Sequence, residues 1–480
     1  MVEFQPSLDE VTRLLAGADV VPVFTRFDLS HVTPVTAMLA LGVDGNCFLL
    51  ESVEGQERLA RWSILGHDPF ATIECPGGSL DPLAVLDKAV AGQRLASVEG
   101  LDVPFAGGAV GFLSYEAARH YERIPAAADA LHIPDAWFAL YDVVVVFDHS
   151  SEVTHVIGNV RGDDPLPVAE AYARCTERLR AVVDTLVNSI EGEAALPVET
   201  AGATADGPAN MSREAFCDAV DRCRDYIAAG DIFQVQISRR FALPLQGRPF
   251  DVYRALRRIN PSPYMFYLSS PHGAVVGASP EMLVRVDGDS VAYHPIAGTR
   301  RRGRNASDDE LMEAELRGSE KESAEHLMLV DLGRNDLGRV CATGSVRVSE
   351  LMEVERYSHV MHLVSSIEGR LRPECTALDT LRACFPAGTV TGAPKIRAME
   401  IIAELEPHAR GVYAGAVGYL GWGGNLDTAI ALRTLLIRDG TAYAQAAAGI
   451  VADSTPHEEA LEIDNKVAAL RQAVGVVNAH

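Results

Sequence analysis

The sequence predicts an α+β protein built on antiparallel sheet, and three observations predict it. Runs such as "DVVVVFDHSSEVTHVIGNV" and "MLVRVDGDSVAYHPI" place strand-like stretches side by side, joined by short polar turns rather than helices. Helical spacing fills other segments without the strict strand–helix alternation of a doubly wound parallel fold. The chain has 480 residues, 48% of them hydrophobic and 22% charged, enough for two or three ordinary cores or one large domain with a companion.

Taken in order, the N-terminal "MVEFQPSLDEVTRLLAGADV" carries acidic residues and no basic stretch ahead of an apolar core, so it does not read as a signal peptide. "VAEAYARCTERLRAVVDTLVNSI" has helical spacing. Residues 187–212, "VNSIEGEAALPVETAGATADGPANMS", are rich in Ala, Gly, Pro and acidic residues with little periodicity; they read as a linker between an N-terminal region, 1–190, and a C-terminal region, 213–475. Ser212 then caps a helix whose Phe216, Val220, Cys223 and Ile227 recur on one face and which Gly230 ends. The strand-like runs "IFQVQISRRFAL", "YMFYLSS", "AVVGAS" and "GAVGYLGW" follow, with helices between some of them. Ser454 and Pro456 mark the start of a last helix.

Composition excludes several classes. No window approaches about 18 uncharged apolar residues, so no membrane span is expected. A formal net charge of −24 argues against nucleic acid or an anionic membrane as partner. The eight cysteines are scattered without a C-x-x-C pair, which argues against zinc and disulfides and suits a cytoplasmic protein. No serine-hydrolase elbow, zinc-protease motif or P-loop is present.

Against that acidic background, "YHPIAGTRRRGR" gathers four arginines, Arg300, Arg301, Arg302 and Arg304. It reads either as a local anion site or as a solvated loop. Two acidic helices stand out as well. Glu322 and Glu325 lie at i, i+3 on the stripe of Leu329, and Glu459, Glu462 and Lys466 run beside Ile463, Val467 and Leu470. Carboxylates next to an apolar stripe are costly unless paired or holding a cation. The two pairs could supply oxygen ligands for Mg²⁺, or they could form salt-bridged surface. "CFPAGTVTGAPKIRAMEII" joins a Gly-rich turn to a helix start, and "ERYSHVMHLVSSIEG" offers His359 and His362, one suited to a core role and one to acid–base work.

Together the segments "DIFQVQISRRF", "NPSPYMFYL", "GASPEMLVRV", "HPIAGTRRRG", "EHLMLVDLGRNDLGRV", "FPAGTVTGAPKIRAMEII" and "AGIVADSTPHEEALEIDNK" resemble the chorismate-utilising enzymes, most closely the large subunits of anthranilate synthases. "FLLESVEGQERLARWSILG" and "FAGGAVGFLSYE" extend the match into the N-terminal region. The resemblance implies an α/β sandwich of two packed antiparallel sheets flanked by helices, with the active site in a cleft beside the sheets. It implies Mg²⁺ held by Glu325 and Glu462 with Glu322 and Glu459 in support, and an enolpyruvyl carboxylate site at Tyr413, Arg433 and Gly449. Thr389 and Lys466 fall at substrate-contact positions, Glu281 at that of the general acid, and His362 at that of the histidine linked to pyruvate loss.

Gln234 stands where water-adding relatives carry a lysine base, which points to an amine nucleophile; Ala297 stands where aminodeoxychorismate synthases commonly carry lysine, which points to attack at C2. Only Arg300 and Arg302 match the common loop, Arg301 replacing a frequent proline, so some of the four are expected in salt bridges or solvent. Ala447 replaces a common glycine and could crowd the carboxylate site. Leu50, Glu51 and Ser52, with Asn260, Pro261, Ser262, Tyr264 and Met265, match a tryptophan effector site. The implied activity is ammonia-dependent conversion of chorismate to anthranilate. The alternatives are an aminodeoxychorismate synthase, a synthase stopping at the 2-amino intermediate, or a silent tryptophan-sensing subunit. No glutaminase cysteine stands in a nucleophile-elbow setting, so ammonia from glutamine requires a separate amidotransferase subunit, in an implied heterotetramer of two chains of each kind.

Overall fold

A computed structural model describes residues 3–28, 32–53, 61–90, 92–188, 204–356 and 360–480. Among them, eleven strands form one sheet. Its spatial order is Val20–Phe27, Val153–Arg161, Val143–Asp148, Trp62–His67, Cys47–Glu51, Tyr264–Ser270, Gly273–Ser279, Thr434–Arg438, Thr441–Ile450, Gln234–Pro244 and Gly392–Ala393. The second sheet runs Ile296–Arg301, Val360–Arg370, Ser290–Tyr293, Met282–Asp287, Leu426–Ile430, Ala416–Gly421, Gly108–Leu113, Ala136–Tyr141 and Ala71–Cys75, with Arg347–Arg356 also paired to Val360–Arg370. Each of these ladders is antiparallel, as in Leu50↔Phe266 and Val110↔Tyr419.

The two sheets pack face to face. Phe48, Ile64, Val146, Phe266 and Leu436 of the first meet Val110, Phe112, Trp137, Tyr141 and Val417 of the second in one buried cluster. The outer face of the first sheet is covered by apolar helix residues such as Leu179, Phe216, Val252 and Ile463. Leu83, Val330, Leu381 and Met399 cover that of the second. Helices therefore flank two packed antiparallel sheets, as expected from the sequence.

Both sheets mix strands from before and after residues 187–212. Cys47–Glu51 pairs with Tyr264–Ser270, and Gly108–Leu113 with Ala416–Gly421. Residues 189–203 of the expected linker lie outside the described residues; Val187 and Asn188 close the helix Val168–Asn188.

Most element expectations hold. The Ser212 side chain accepts from Ala215 N–H and caps Arg213–Ala228, whose Phe216, Val220 and Cys223 are buried, and Gly230 follows at φ +84°. One start differs. The N-cap of Pro456–Asn478 is Thr455, with Pro456 in the first turn, whereas the Ser454 hydroxyl turns back to accept from Val451 N–H. Proline fixes the helix start, and the residue directly before it is the one left extended.

Candidate active site

A cavity of about 670 Å³ opens between the first sheet, the edge of the second and two helices. Its sheet wall follows from strand alternation. Gln234, Gln236 and Ser238 share one face of Gln234–Pro244, opposite Gly449 and Ala447 of the neighbouring strand. A methyl group on Gly449 would lie 2.8 Å from the Gln236 Nε2 and 2.9 Å from the Gln234 Nε2, so the bare position lets both amide ends reach over it. Ala447 is buried, and its carbonyl accepts from Lys466 Nζ at 2.9 Å.

The opposite wall comes from the bulged strand Ile296–Arg301 beside Val360–Arg370. Gly298 there has φ +67°, and an added Cβ would meet the Glu322 carboxylate at 3.0 Å. Its carbonyl, 3.0 Å away, accepts from His362 Nδ1, which leaves Nε2 as the basic nitrogen. Burial, aided by the Arg433 cation, lowers the His362 pKa to about 4, so the ring is neutral near pH 7. Glu281 sits in the turn after Gly273–Ser279, its backbone held by the Ser279 hydroxyl and by Ile430 N–H. Burial pushes its carboxyl up to about 8, so it carries a proton near neutrality. Glu281 and Thr389 both line the cavity, and the buried Thr389 hydroxyl, with the backbone at Ile296, favours the charged carboxylate and offsets part of that rise.

The two acidic helices form the rim. Glu322 and Glu325 come from Glu320–Gly338, whose Ser319 cap accepts from Glu322 N–H, and Glu459 and Glu462 come from Pro456–Asn478. All four line the cavity, as do Gln234, Glu281, Ala297, His362, Thr389, Tyr413, Arg433, Gly449 and Lys466. Every position that the resemblance implies for catalysis, substrate or metal thus lines one cavity. Glu322 accepts from Arg300 at 3.1 Å, Glu325 from Gln234 at 2.7 Å, and Glu462 pairs with Lys466 at 2.6 Å. Among the described residues, no three acidic, His or Cys side chains are close enough to make a ready-made metal cage. The donors are all carboxylate oxygens in two pairs, a set suited to a hard divalent ion that completes its shell with water and substrate.

The arginine loop divides its work. Arg300 pairs with Glu315 and Glu322, Arg302 pairs with Asp309, and Arg301 is the member that lines the cavity. This agrees with the expectation that only some of the four face substrate. His359 lies outside the described residues.

The residues matched to an effector split between two settings. Asn260, Pro261 and Ser262 line the catalytic cavity itself. Leu50 packs on the core between the sheets, and Met265 lies in the core beneath the helices. Buried Glu51 accepts from Arg257 at 2.9 Å and from the Tyr253 hydroxyl. The buried Ser52 hydroxyl has no partner among the described residues. Tyr264 donates to Asp427 and accepts from Arg285, both in the second sheet, so it ties the sheets together.

Sequence reading missed Gln236, Gln445 and Asn465 in the lining, and the buried Glu406–Arg410 pair behind it. Alternation from Gln234 could have found Gln236; nothing local marks Arg410.

A chain with this sandwich, and with protonated, cationic and acidic groups converging on one cleft, belongs to the chorismate binding enzymes, whose family model matches residues 45–472. Within that family it is 42% identical to "anthranilate synthase component 1" of Acetivibrio thermocellus over 98% of both chains. It is 48% identical to the protein of that name from Streptomyces coelicolor, over 95% of this chain and 89% of the other. Among solved structures, anthranilate synthase component I from Streptococcus pneumoniae matches with a TM-score of 0.77 at 38% identity, covering 92% of this chain and 98% of that one. The menaquinone-specific isochorismate synthase of Escherichia coli, at 19% identity and TM-score 0.73, shares the fold.

Proposed function

We propose that the chain is a Mg²⁺-dependent anthranilate-forming enzyme that aminates chorismate with ammonia and then releases pyruvate. The observation that carries this reading is the pairing of a buried, protonated Glu281 with a neutral His362 in one cavity rimmed by four glutamates. Glu325 and Glu462, supported by Glu322 and Glu459, would hold a divalent ion, which would supply positive charge for the ring carboxylate. Arg433, Tyr413 and the backbone at Gly449 receive the enolpyruvyl carboxylate, the arginine fork matching its two oxygens. Thr389 and Lys466 complete the contacts.

Ammonia attacks C2 and the C2–N bond forms, both conjugated ring double bonds shift one position, from C1=C2 to C1=C6 and from C5=C6 to C4=C5, and the C4–O bond breaks. Glu281 gives its proton to the departing hydroxyl, which leaves as water, and the new ammonium centre loses a proton in turn. His362, neutral and basic at Nε2, then takes the C2 proton. The C3–O bond breaks, the ring becomes aromatic, and the enolpyruvyl group leaves as pyruvate after protonation. Gln234 cannot deprotonate water, and ammonia needs no such base. Ala297, 8% exposed and small, leaves room at C2.

Ammonia from glutamine comes from a separate amidotransferase subunit, in an assembly of two chains of each kind. Tryptophan acts as inhibitor through Ser52 and the 260–265 segment, with the N-terminal region as the effector side and 213–475 as the catalytic side. No helix among the described residues is long and apolar enough to cross a membrane; we assign the enzyme to the cytoplasm. The purified chain, given chorismate, Mg²⁺ and ammonium, should release pyruvate and blue-fluorescent anthranilate in equal amounts. A stable non-aromatic amine as sole product would refute the assignment.

A further inference from the structure

One wall of the cavity holds an acceptor whose direction is dictated from behind. Glu406 and Arg410, both nearly fully buried, pair at 2.7 Å, and Arg410 also donates to the carbonyls of Val390 and Gln236. Glu406 Oε1 accepts from the Ser238 N–H and hydroxyl, each at 2.8 Å. A carboxylate paired in this way only accepts, so the Ser238 hydroxyl must donate to it. That leaves the Ser238 oxygen to accept from Gln445 Nε2, also at 2.8 Å. The amide of Gln445 is thereby fixed with its oxygen turned the other way. Gln445 is 3% exposed and lines the cavity, and its Oε1 has no hydrogen-bond partner among the described residues.

A buried acceptor without a donor is costly, and here the relay from an ionised group polarises it further. We propose that the Gln445 amide oxygen binds the incoming ammonia and is a specificity-determining residue for nitrogen; this rests on the reaction proposed above. Of the two reactants, chorismate brings carboxylates and an ether that only accept, and its single hydroxyl must lie on Glu281. Ammonia brings three N–H donors. An amide oxygen holds an N–H without giving or taking a proton, so the nitrogen keeps the lone pair needed for attack. A carboxylate at the same place would store ammonium, which has none.

The test is steady-state kinetics of wild type, Gln445→Leu, Gln445→Glu and Ser238→Ala at saturating chorismate and Mg²⁺ with ammonium varied, then with chorismate varied. In Gln445→Leu the KM for ammonium should rise about tenfold, the loss of one buried hydrogen bond, and exceed any change in kcat or in the KM for chorismate. Gln445→Glu should move the ammonium dependence to higher pH. Ser238→Ala keeps the amide but frees it to turn, and should raise the ammonium KM by a smaller factor. It carries the test if circular dichroism shows that Gln445→Leu does not fold. An unchanged ammonium KM in a folded variant, or an equal rise in the chorismate KM, overturns the proposal and leaves Gln445 holding a water or packing the wall. A wild-type protein that forms no anthranilate would instead overturn the proposed function itself.

Discussion

Glu281 shows how one residue's surroundings set a reaction's pH range. Burial raises its carboxyl to about 8 from an ordinary 4.5, so it can donate a proton at pH 7 and loses that ability as pH rises through about 8. His362, lowered to about 4, is already neutral over that range, so as a base it limits turnover only as pH falls towards about 4. Turnover extrapolated to saturating free ammonia at each pH should therefore hold level between about pH 5 and 7.5 and fall above 8, and Glu281→Gln should lower that kcat by about 10²–10⁴-fold while erasing the fall. The raised value also has a stability cost. Folding takes up a proton at Glu281 between about 4.5 and 8, so this group's contribution shrinks as pH rises through that window. Glu281→Gln should unfold at a higher temperature than wild type at pH 8.5, measurable by calorimetry. At the proposed effector site, Ser52→Phe should keep turnover yet resist tryptophan in an inhibition titration; unchanged inhibition would remove Ser52 from that proposal. Glu281 and His362 were singled out in the sequence through the resemblance of the segments that carry them, and the structure brings both to one cavity. Gln445 and Arg410 were not, because their roles depend on a hydrogen-bond relay between strands and helices distant in the chain.

At the scale of elements, the helices Glu320–Gly338 and Pro456–Asn478 each present two glutamates one turn apart to the same cavity. Their spacing was visible as i, i+3 pairs beside apolar stripes, but spacing alone could not tell an inward rim from a salt-bridged surface. The structure shows features of both: all four line the cavity and Gln234 reaches Glu325, while Glu322 pairs with Arg300 and the half-exposed Glu462 with Lys466. Glu325→Gln and Glu462→Gln should each abolish Mg²⁺-dependent turnover, with far-ultraviolet circular dichroism unchanged. Full activity in either variant would remove that residue from the metal set. The last helix also shows the limit of boundary reading. Ser454 is a good cap by residue type, yet the hydroxyl closes a turn on Val451 and Thr455 takes the cap position.

At the scale of the whole molecule, the composition shift at 187–212 marks a point in the chain without separating two sheets. Strands from either side of it pair in both sheets, so each region completes the other's core. Strand type and antiparallel order within hairpins could be read from alternation; the pairing of Cys47–Glu51 with Tyr264–Ser270 could not, since contacts across more than two hundred residues leave no local pattern. A fragment spanning 213–480 should therefore be insoluble or molten when made alone, because Tyr264–Ser270 and Ala416–Gly421 would become open edges above an uncovered core. A cooperative thermal transition in that fragment would contradict this. The proposed reaction depends most directly on where a divalent ion binds. Crystals soaked with Mn²⁺ and a chorismate-like dicarboxylate, measured by anomalous diffraction, should give one strong peak between Glu325 and Glu462 with the ligand's ring carboxylate beside it. A ligand bound with no metal at those glutamates, or a metal bound only elsewhere, would contradict it.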